Sequence, residues 1–366
     1  MLELIDQLAP PYLSLSGDSV GLQVGDSQSL LEKILVTLEV TPETLREALR
    51  LGANLVVSHH PLIFEPLTSI DYHSPVGGLL KKLVANDINL IVSHTNLDTA
   101  PRGLNYFLGE QFGIINTKVL HPTYQDRLLK LVVFVPEGYQ EEVRKAISEA
   151  GAGWIGNYSH CTFQTSGTGT FMPREKTNPF KGEKFRVEKV NEIRLETVLP
   201  YFKMEQVIHA LQESHPYEEV AFDLYSLENE GIVAGLGVWG DLAQPITLKS
   251  MAQKCKEVLS VEGVKVWGDL QKEIHTMALC GGSGGKLIGN ALEKQVALYL
   301  SGDLKHHEVQ HAQQNGMAII DAGHRGTEEP VVSYLADYIR KGLKDKGFYH
   351  EVIPVFTSPE GRERFV

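Results

Sequence analysis

Cysteine is scarce in this chain of 366 residues. The three cysteines, Cys161, Cys255 and Cys280, lie far apart, and no two have the C-x-x-C spacing of a zinc ribbon or a redox motif. This argues against a disulfide framework and against a thiolate metal site. The pattern is typical of reduced thiols in a cytosolic protein.

Long apolar runs and an excess of basic residues are also absent. No run approaches the ~20 apolar residues of a membrane span, and the segment Met1–Asp6 carries acids where a signal peptide carries bases. We therefore expect a cytoplasmic protein without a membrane partner. The 34 lysines and arginines are outnumbered by 46 acids, which gives a net charge of −12. This charge disfavours a nucleic-acid partner.

Apolar residues are present in short runs, each followed by a polar cluster and a helix-like stretch. Hydrophobic residues make up 42% of the chain, and its length suits two packed units. The runs that predict strands are Ile34–Val40, Asn54–Ser58 and Ile88–Ser93 in the first half, and His275–Cys280, Val296–Leu300 and Met317–Ile320 in the second. This alternation predicts an α/β fold in which two βαβ-type halves form a mostly parallel, layered sheet structure.

The middle of the chain has a different pattern. The predicted strands are Leu128–Val135, Arg194–Val198 and Val220–Tyr225, and the predicted helices are Gln140–Ala150 and Met204–Ser214. A Gly-, Ser- and Thr-rich meander over 151–184 lies between the first helix and the second strand, so the predicted order is strand, helix, strand, strand, helix, strand. This is the order of a ferredoxin-like α+β fold. We expect an inserted domain over residues 126–231, with a return link at Asn229–Gly231. Residues 1–125 and 232–366 would then form one discontinuous domain.

Histidines and acids follow the predicted strands directly. They are Glu39, His59, His60, His94, Asp98, Asp303, His306, His307, Asp321 and His324. The carboxyl ends of parallel strands gather at one edge of a sheet, where ligands bind. Imidazole and carboxylate together are the ligands of zinc, manganese and iron sites. The sequence therefore predicts a two-metal site.

The spacing suggests how two ions could share these side chains. Adjacent side chains at a strand end diverge, so His59 and His60 could serve different ions. His324 and Glu328 are four residues apart and share one face of a helical turn. Asp98 could bridge two ions about 3.5–4 Å apart, which is the usual arrangement for activating a water molecule.

Each of these elements also has a purely structural interpretation. The sequence His59-His60-Pro61 fits an ordinary turn, and His324 with Glu328 could simply cap a helix. His94 could bond a backbone carbonyl inside the core. One of His306 and His307, which lie in a charged stretch, would be solvated.

The glycine-rich segment Gly281–Gly285 precedes a predicted helix. Its backbone N–H groups could hold a phosphate, but the segment is one residue short of a P-loop, and Leu287 replaces the Ser or Thr that would bind Mg²⁺. Close packing of a strand against a helix is the favoured interpretation.

Four motifs resemble the Nif-three-like family of dinuclear-metal proteins, often labelled GTP cyclohydrolase type 2 homologues. The motifs are Gly17–Gly25, Ser58–Phe64, Ser93–Asp98 and Ser301–His307 followed by Asp321–Glu328. The resemblance implies metal ligands at His59, His60, Asp98, His324 and Glu328, with at least one bridging carboxylate. It also implies a homo-hexamer, as a toroid or cage. The insert, with its stretch His215–Glu219, resembles the PII/CutA-like domain of the longer bacterial members.

Two function classes remain open on this basis. The leading hypothesis is a metal-dependent hydrolase that holds two divalent ions per subunit, with zinc favoured and iron or manganese also fitting, and that acts on a small molecule such as a nucleotide. No general base is obvious, and His94 and Glu39 are weak candidates. The alternative is a non-catalytic, metal-stabilised hexamer that acts as a regulator or adaptor.

Overall fold

The structure, a computed structural model, describes residues 1–356. The chain folds into two compact units. The first unit comprises Met1–Tyr124 and the chain from Ala234 onward, and the second comprises Gln125–Val233. No helix among the described residues is long and apolar enough to span a bilayer.

The strands and helices are numbered in chain order. The strands are β1 Gly21–Val24, β2 Lys33–Thr37, β3 Leu55–Ser58, β4 Asn89–Val92, β5 Ile114–Pro136, β6 Thr162–Phe171, β7 Glu188–Pro200, β8 Phe222–Thr247, β9 Lys265–Trp267, β10 Glu273–Ser283, β11 Leu298–Gly302, β12 Ala318–Asp321 and β13 Glu351–Val355. The α-helices are α1 Leu2–Leu8, α2 Pro42–Leu51, α3 Pro75–Ala85, α4 Thr95–Thr99, α5 Leu104–Phe112, α6 Gln140–Glu149, α7 Met204–Ser214, α8 Leu248–Leu259, α9 Ile288–Glu293, α10 His306–Gln314, α11 His324–Glu328 and α12 Pro330–Asp345.

Two groups of parallel strands lie in the first unit. One is β4-β3-β2-β13, with β1 antiparallel at the β4 edge. The other is β10-β11-β12, flanked by antiparallel β8 and β9. The predicted α/β class and its two βαβ-type halves are confirmed. Parallel strands form the centre of each half, and antiparallel strands lie beside them.

One apolar core joins the two halves of the first unit. It contains Val36 and Val57 from one half, Leu279 and Leu300 from the other, and residues of α1, α5, α8 and α12. Every residue of β3 is buried, as expected for a parallel strand that is covered on both faces.

Capping residues determine where α2 begins and ends in the first half. The Thr41 side chain accepts a hydrogen bond from the Thr44 backbone N–H, and Pro42 is the first residue of α2. A threonine N-cap followed by proline at the first helical position is a favoured way to begin a helix. Gly52 ends the helix in the left-handed conformation. The chain then enters β3, whose last residue, Ser58, lies in register with Thr37 and Val92. Three strand ends therefore meet at one edge.

The second unit has a ferredoxin-like topology. Its strands lie in the order β6-β7-β5-β8, and β7 is antiparallel to both β6 and β5. Helices α6 and α7 supply Val143, Ile147, Val207 and Leu211 to its core. The predicted α+β insert is thus confirmed as a fold.

The boundary between the units falls between Val233 and Ala234, just after the predicted return link at Asn229–Gly231. These residues lie inside β8, which continues unbroken from Phe222 to Thr247. Gly231 is a site of close approach rather than a turn, because a Cβ there would come within 2.5 Å of the Asp126 carbonyl oxygen.

Candidate metal centre

The proposed ligands come together at the strand ends of the first unit. His59 and His60 directly follow β3, Asp98 lies in α4 after β4, and His324 and Glu328 are the first and last residues of α11. Ring centroids are 5.2 Å apart for His59 and His60 and 5.7 Å apart for His60 and His324. Side chains more than 200 residues apart in sequence are therefore neighbours.

His59 and Asp98 supply the most informative pair of atoms. The fully buried His59 ring donates from Nδ1 to the Ser93 carbonyl at 2.8 Å, so its Nε2 carries a lone pair. That Nε2 lies 3.6 Å from Asp98 Oδ1. Both atoms are buried, and neither has a hydrogen-bond partner among the described residues. Because buried polar atoms in proteins nearly always have a partner, two adjacent electron-pair donors indicate a cation site.

The protonation of this pair depends on its burial. Burial lowers the pKa of His59 to about 4, so the ring is neutral and able to bind a metal ion. Burial, together with the nearby charge of Glu328, raises the pKa of Asp98 to about 8. A bound cation would oppose that rise by stabilising the ionised carboxylate.

Glu328 lies between two histidines. Its Oε2 is 2.9 Å from His60 Nε2 and 3.1 Å from His324 Nε2, and its Oε1 is 4.0 Å from His59 Nε2. Burial would raise the pKa of Glu328, but the hydrogen bonds from His324 and His60 hold it well below its usual value. The hydrogen bond between His324 and Glu328, together with the charges of Glu328 and Asp303, raises the pKa of His324 to about 9.

The donor atoms fall into two groups that share one histidine. Atoms of His59, His60 and His94 lie within 4.8 Å of one another, and so do atoms of His60, His324 and Glu328. With Asp98 Oδ1, 3.6 Å from His59 Nε2, taken in place of His94, each group offers three donors of the nitrogen and oxygen type that zinc, iron and manganese bind. The residues present therefore fit a pair of divalent ions.

His94 is held by an acid that the sequence reasoning did not assign. Its Nδ1 donates to Asp18 Oδ1 at 2.8 Å, and Asp18 Oδ2 accepts from the Thr95 N–H at 3.0 Å. Burial opposes ionisation of Asp18, but the hydrogen bonds from His94 and Thr95 lower its pKa to about 2. This pair fixes the tautomer of His94 and leaves its Nε2 as an acceptor. The only sequence signal for Asp18 was its position in the Gly17–Gly25 motif.

Several strand-end residues lie outside the cluster. Glu39 accepts a hydrogen bond from Arg325 Nη2 at 2.7 Å and belongs to neither donor group. Asp321 is buried and accepts from the Gly323 N–H at 3.0 Å, which shapes the turn before α11. His306 and His307 are exposed at the start of α10.

The glycine-rich segment is a packing element. Gly281–Ser283 belong to β10, so the predicted loop is shorter than expected. The N–H groups of Gly282 and Gly284 already donate to Thr327 Oγ1 and Ser301 Oγ at 2.9 and 3.0 Å, which argues against a phosphate cradle. A Cβ at Gly282, whose φ is +67°, would come within 2.2 Å of Glu328 Oε1. Glycine at this position therefore leaves room for the Glu328 carboxylate.

Comparison with known proteins places this geometry in a family. The family model described as Duf34/NIF3 (NGG1p interacting factor 3) matches residues 1–359. The chain belongs to the Duf34/NIF3 family. The resemblance inferred from the four motifs is thus confirmed.

Relatives in this family match nearly the whole chain. A Halalkalibacterium halodurans protein named GTP cyclohydrolase 1 type 2 homolog is 38% identical over 98% of this chain and 97% of its own length. A Bacillus subtilis protein of the same name is 41% identical over 88% of this chain and 87% of its own length. The crystal structure of a Bacillus cereus protein related to NIF3 is 39% identical, has a TM-score of 0.88, and is matched over 100% of this chain and 97% of its own.

Proposed function

We propose that the protein binds two divalent metal ions in this centre and is a metal-dependent hydrolase. The observation that carries the proposal is the pair of buried, unsatisfied donor atoms, His59 Nε2 and Asp98 Oδ1, beside a carboxylate bonded to two further histidines. His59, His60, Asp98, His324 and Glu328 would hold the ions. The histidine-rich donor set favours zinc, and iron or manganese would also fit.

Two divalent ions, when bound, would supply Lewis-acid chemistry and lower the pKa of a coordinated water towards neutrality. The chain's own contribution is to orient the donors. Ser93 fixes the tautomer of His59 through its carbonyl, and Asp18 fixes that of His94. The Ser93 bond is of the kind that holds a metal-binding histidine in the orientation the ion requires, and the Asp18 bond leaves the lone pair of His94 Nε2 available.

His94 is the better candidate for the general base. Its side chain is 18% exposed, and its Nε2 can accept a proton because Nδ1 donates to Asp18. Glu39 is a poorer candidate, since its carboxylate is engaged by Arg325.

A nucleotide is the first substrate class to test. The Phe64 ring is 62% exposed and lies 6.5 Å from the His94 ring, measured between centroids. An exposed ring beside a candidate base offers a stacking surface for a purine. The name of the curated relatives, GTP cyclohydrolase 1 type 2 homolog, makes GTP the first compound to assay.

The test compares metal content and turnover in three proteins. Wild type, Asp98→Asn and His94→Gln are loaded with zinc, iron or manganese and assayed with GTP, other nucleotides and phosphoesters. We expect about two ions per wild-type chain, fewer in Asp98→Asn, and retained metal with lost turnover in His94→Gln.

The outcomes separate the two function classes. Wild-type protein that is loaded with metal but inactive on every compound would contradict the hydrolase and favour the metal-stabilised regulator or adaptor. Protein that binds no divalent ion would contradict both. Light scattering of the loaded protein tests the proposed hexamer.

A further inference from the structure

A cavity lies on the helix-free face of the sheet in the second unit. Leu131, Val133 and Leu195 pack against α6 and α7 in the core of this unit. Successive side chains of a strand point to opposite faces, so Phe134 and Glu192 lie on the other face, where they line a cavity of about 410 Å³. This volume falls within the roughly 300–1,000 Å³ of small-molecule sites.

Aromatic rings form part of the cavity wall. The centroid of the Tyr217 ring lies 5.8 Å from that of Phe171 and 6.1 Å from that of Phe180. Phe180 lines the cavity and is still 45% exposed. The faces of these rings carry negative potential, which attracts cations.

A buried carboxylate lies in the same cavity. Glu192 is only 8% exposed, and its Oε1 accepts a hydrogen bond from the Tyr217 hydroxyl at 3.2 Å. Burial and the Glu192 charge raise the pKa of Tyr217 to about 12, so the hydroxyl stays protonated and donates. No basic side chain among the described residues forms an ion pair with Glu192.

The backbone leaves space for this carboxylate. Gly169 lines the cavity, and a Cβ there would come within 1.9 Å of Glu192 Oε2. A larger residue at this position would displace the acid from the cavity. A buried carboxylate without a cationic partner costs free energy, so a cation that entered here would be stabilised.

The remaining charges at the cavity are mainly acidic. Glu218 and Glu219 line it, and among the described residues Lys181 is the one basic side chain in its lining. Glu218 also accepts the Asn178 N–H at 2.8 Å, which holds the segment that covers this face. Three carboxylates and one ammonium group give the cavity a negative charge that would repel an organic anion.

We infer that this cavity binds a small organic cation. A protonated amine or amidine group pairs with Glu192, and a flat or short alkyl body lies among Phe171, Phe180 and Tyr217. The site lies wholly within the second unit and does not depend on the metal centre.

The test uses three probes of nearly identical shape and different charge. Benzamidinium, benzamide and benzoate are titrated into the full-length protein by calorimetry. We expect benzamidinium to bind at least tenfold more tightly than benzamide, as a charge-assisted hydrogen bond predicts, and benzoate not to bind. Equal binding of the three probes, or no binding of benzamidinium, would overturn the inference.

Two variants locate the binding on the protein. Glu192→Gln should weaken benzamidinium binding at least tenfold, and Phe180→Leu, which changes a partly exposed side chain, should weaken it several-fold. The matched control is Glu196→Gln on the same strand, because Glu196 already pairs with Lys130 and Arg194; its affinity for benzamidinium should be that of wild type. Undiminished binding in both Glu192→Gln and Phe180→Leu would contradict the assignment. Metal content should be the same in all of these proteins.

Discussion

The two halves of the first unit place their histidine doublets very differently. His59 follows the last residue of β3 directly, and its ring is fully buried. His306 lies four residues beyond the end of β11, after Asp303 at φ 55°, and begins the exposed start of α10. The same pair of residue types thus lies in the donor cluster in one half and faces solvent in the other. The difference between the doublets follows from their distance from the end of a buried strand.

The largest expected effect compares these doublets directly. His60→Ala removes the histidine shared by both donor groups, so metal affinity should fall by at least about 100-fold, beyond the 10–100-fold typical of outer-shell changes. His307→Ala, the matched control, should change it by less than twofold. Zinc titration by calorimetry measures both. Equal losses in the two variants would remove the distinction between the doublets.

Gly282→Ala tests the contribution of the second half. The new Cβ would lie 2.2 Å from Glu328 Oε1 and would occupy a residue at φ +67°, a conformation that costs about 1–2 kcal/mol for a non-glycine residue. We expect the free energy of unfolding to fall by at least about 2 kcal/mol and zinc to bind more weakly. Gly289→Ala is the control, because a Cβ there has no neighbour within 4 Å and alanine favours the helix. Chemical denaturation of both variants measures the difference in the free energy of unfolding.

His215, in the second unit, is a buried histidine that can be compared with His59. It is buried like His59, but its Nε2 donates to the Phe134 carbonyl at 3.1 Å and its Nδ1 accepts the Tyr217 N–H at 3.1 Å. Both nitrogens are satisfied, so we expect a structural role without metal. Burial lowers its pKa below 6.5, so the neutral ring stabilises the fold above pH 6.5 and that stability is lost as pH falls below it.

The measurement for His215 is thermal unfolding between pH 8 and pH 5. Protonation of Nδ1 breaks the bond to Tyr217, which is worth about 1 kcal/mol. Wild type should therefore lose stability more steeply on acidification than His215→Gln. Parallel curves would contradict this account.

The smallest expected effect concerns Glu39. Its ion pair with Arg325 is partly exposed, and such pairs contribute about 0–1 kcal/mol. Glu39→Gln should leave the number of bound ions unchanged and lower stability by less than about 1 kcal/mol. Metal analysis and denaturation check this. Complete loss of turnover with metal retained would restore Glu39 as a base.

Much of this arrangement could be predicted from local signals. Met204–Ser214 is predicted as a helix with the bounds that α7 has. Strand ends followed by histidines pointed to one edge, since parallel strands end together. The rule accounts for His59, His60 and Asp98, because β3 and β4 are neighbouring strands. His60 and His324 follow strands of two different sheets, so their proximity across 263 intervening residues depends on the packing of the two halves.

Long-range pairing explains what could not be predicted. Asp18 precedes β1 and reaches His94 across 76 residues, so no local spacing reveals the contact. Asn229–Gly231, predicted as a link, belongs to the continuous strand β8, because strand pairing overrides local propensity. Glu192 has the local sequence of a solvent-facing strand residue. It is buried because a segment distant in sequence covers that face of the sheet.

The most direct test of the central claim is a crystal structure of zinc-loaded protein with anomalous data at the zinc edge. We expect two peaks among His59, His60, Asp98, His324 and Glu328, each about 2.0–2.2 Å from its ligand atoms. Peaks only at surface histidines such as His306 and His307, or no peak at all, would contradict it.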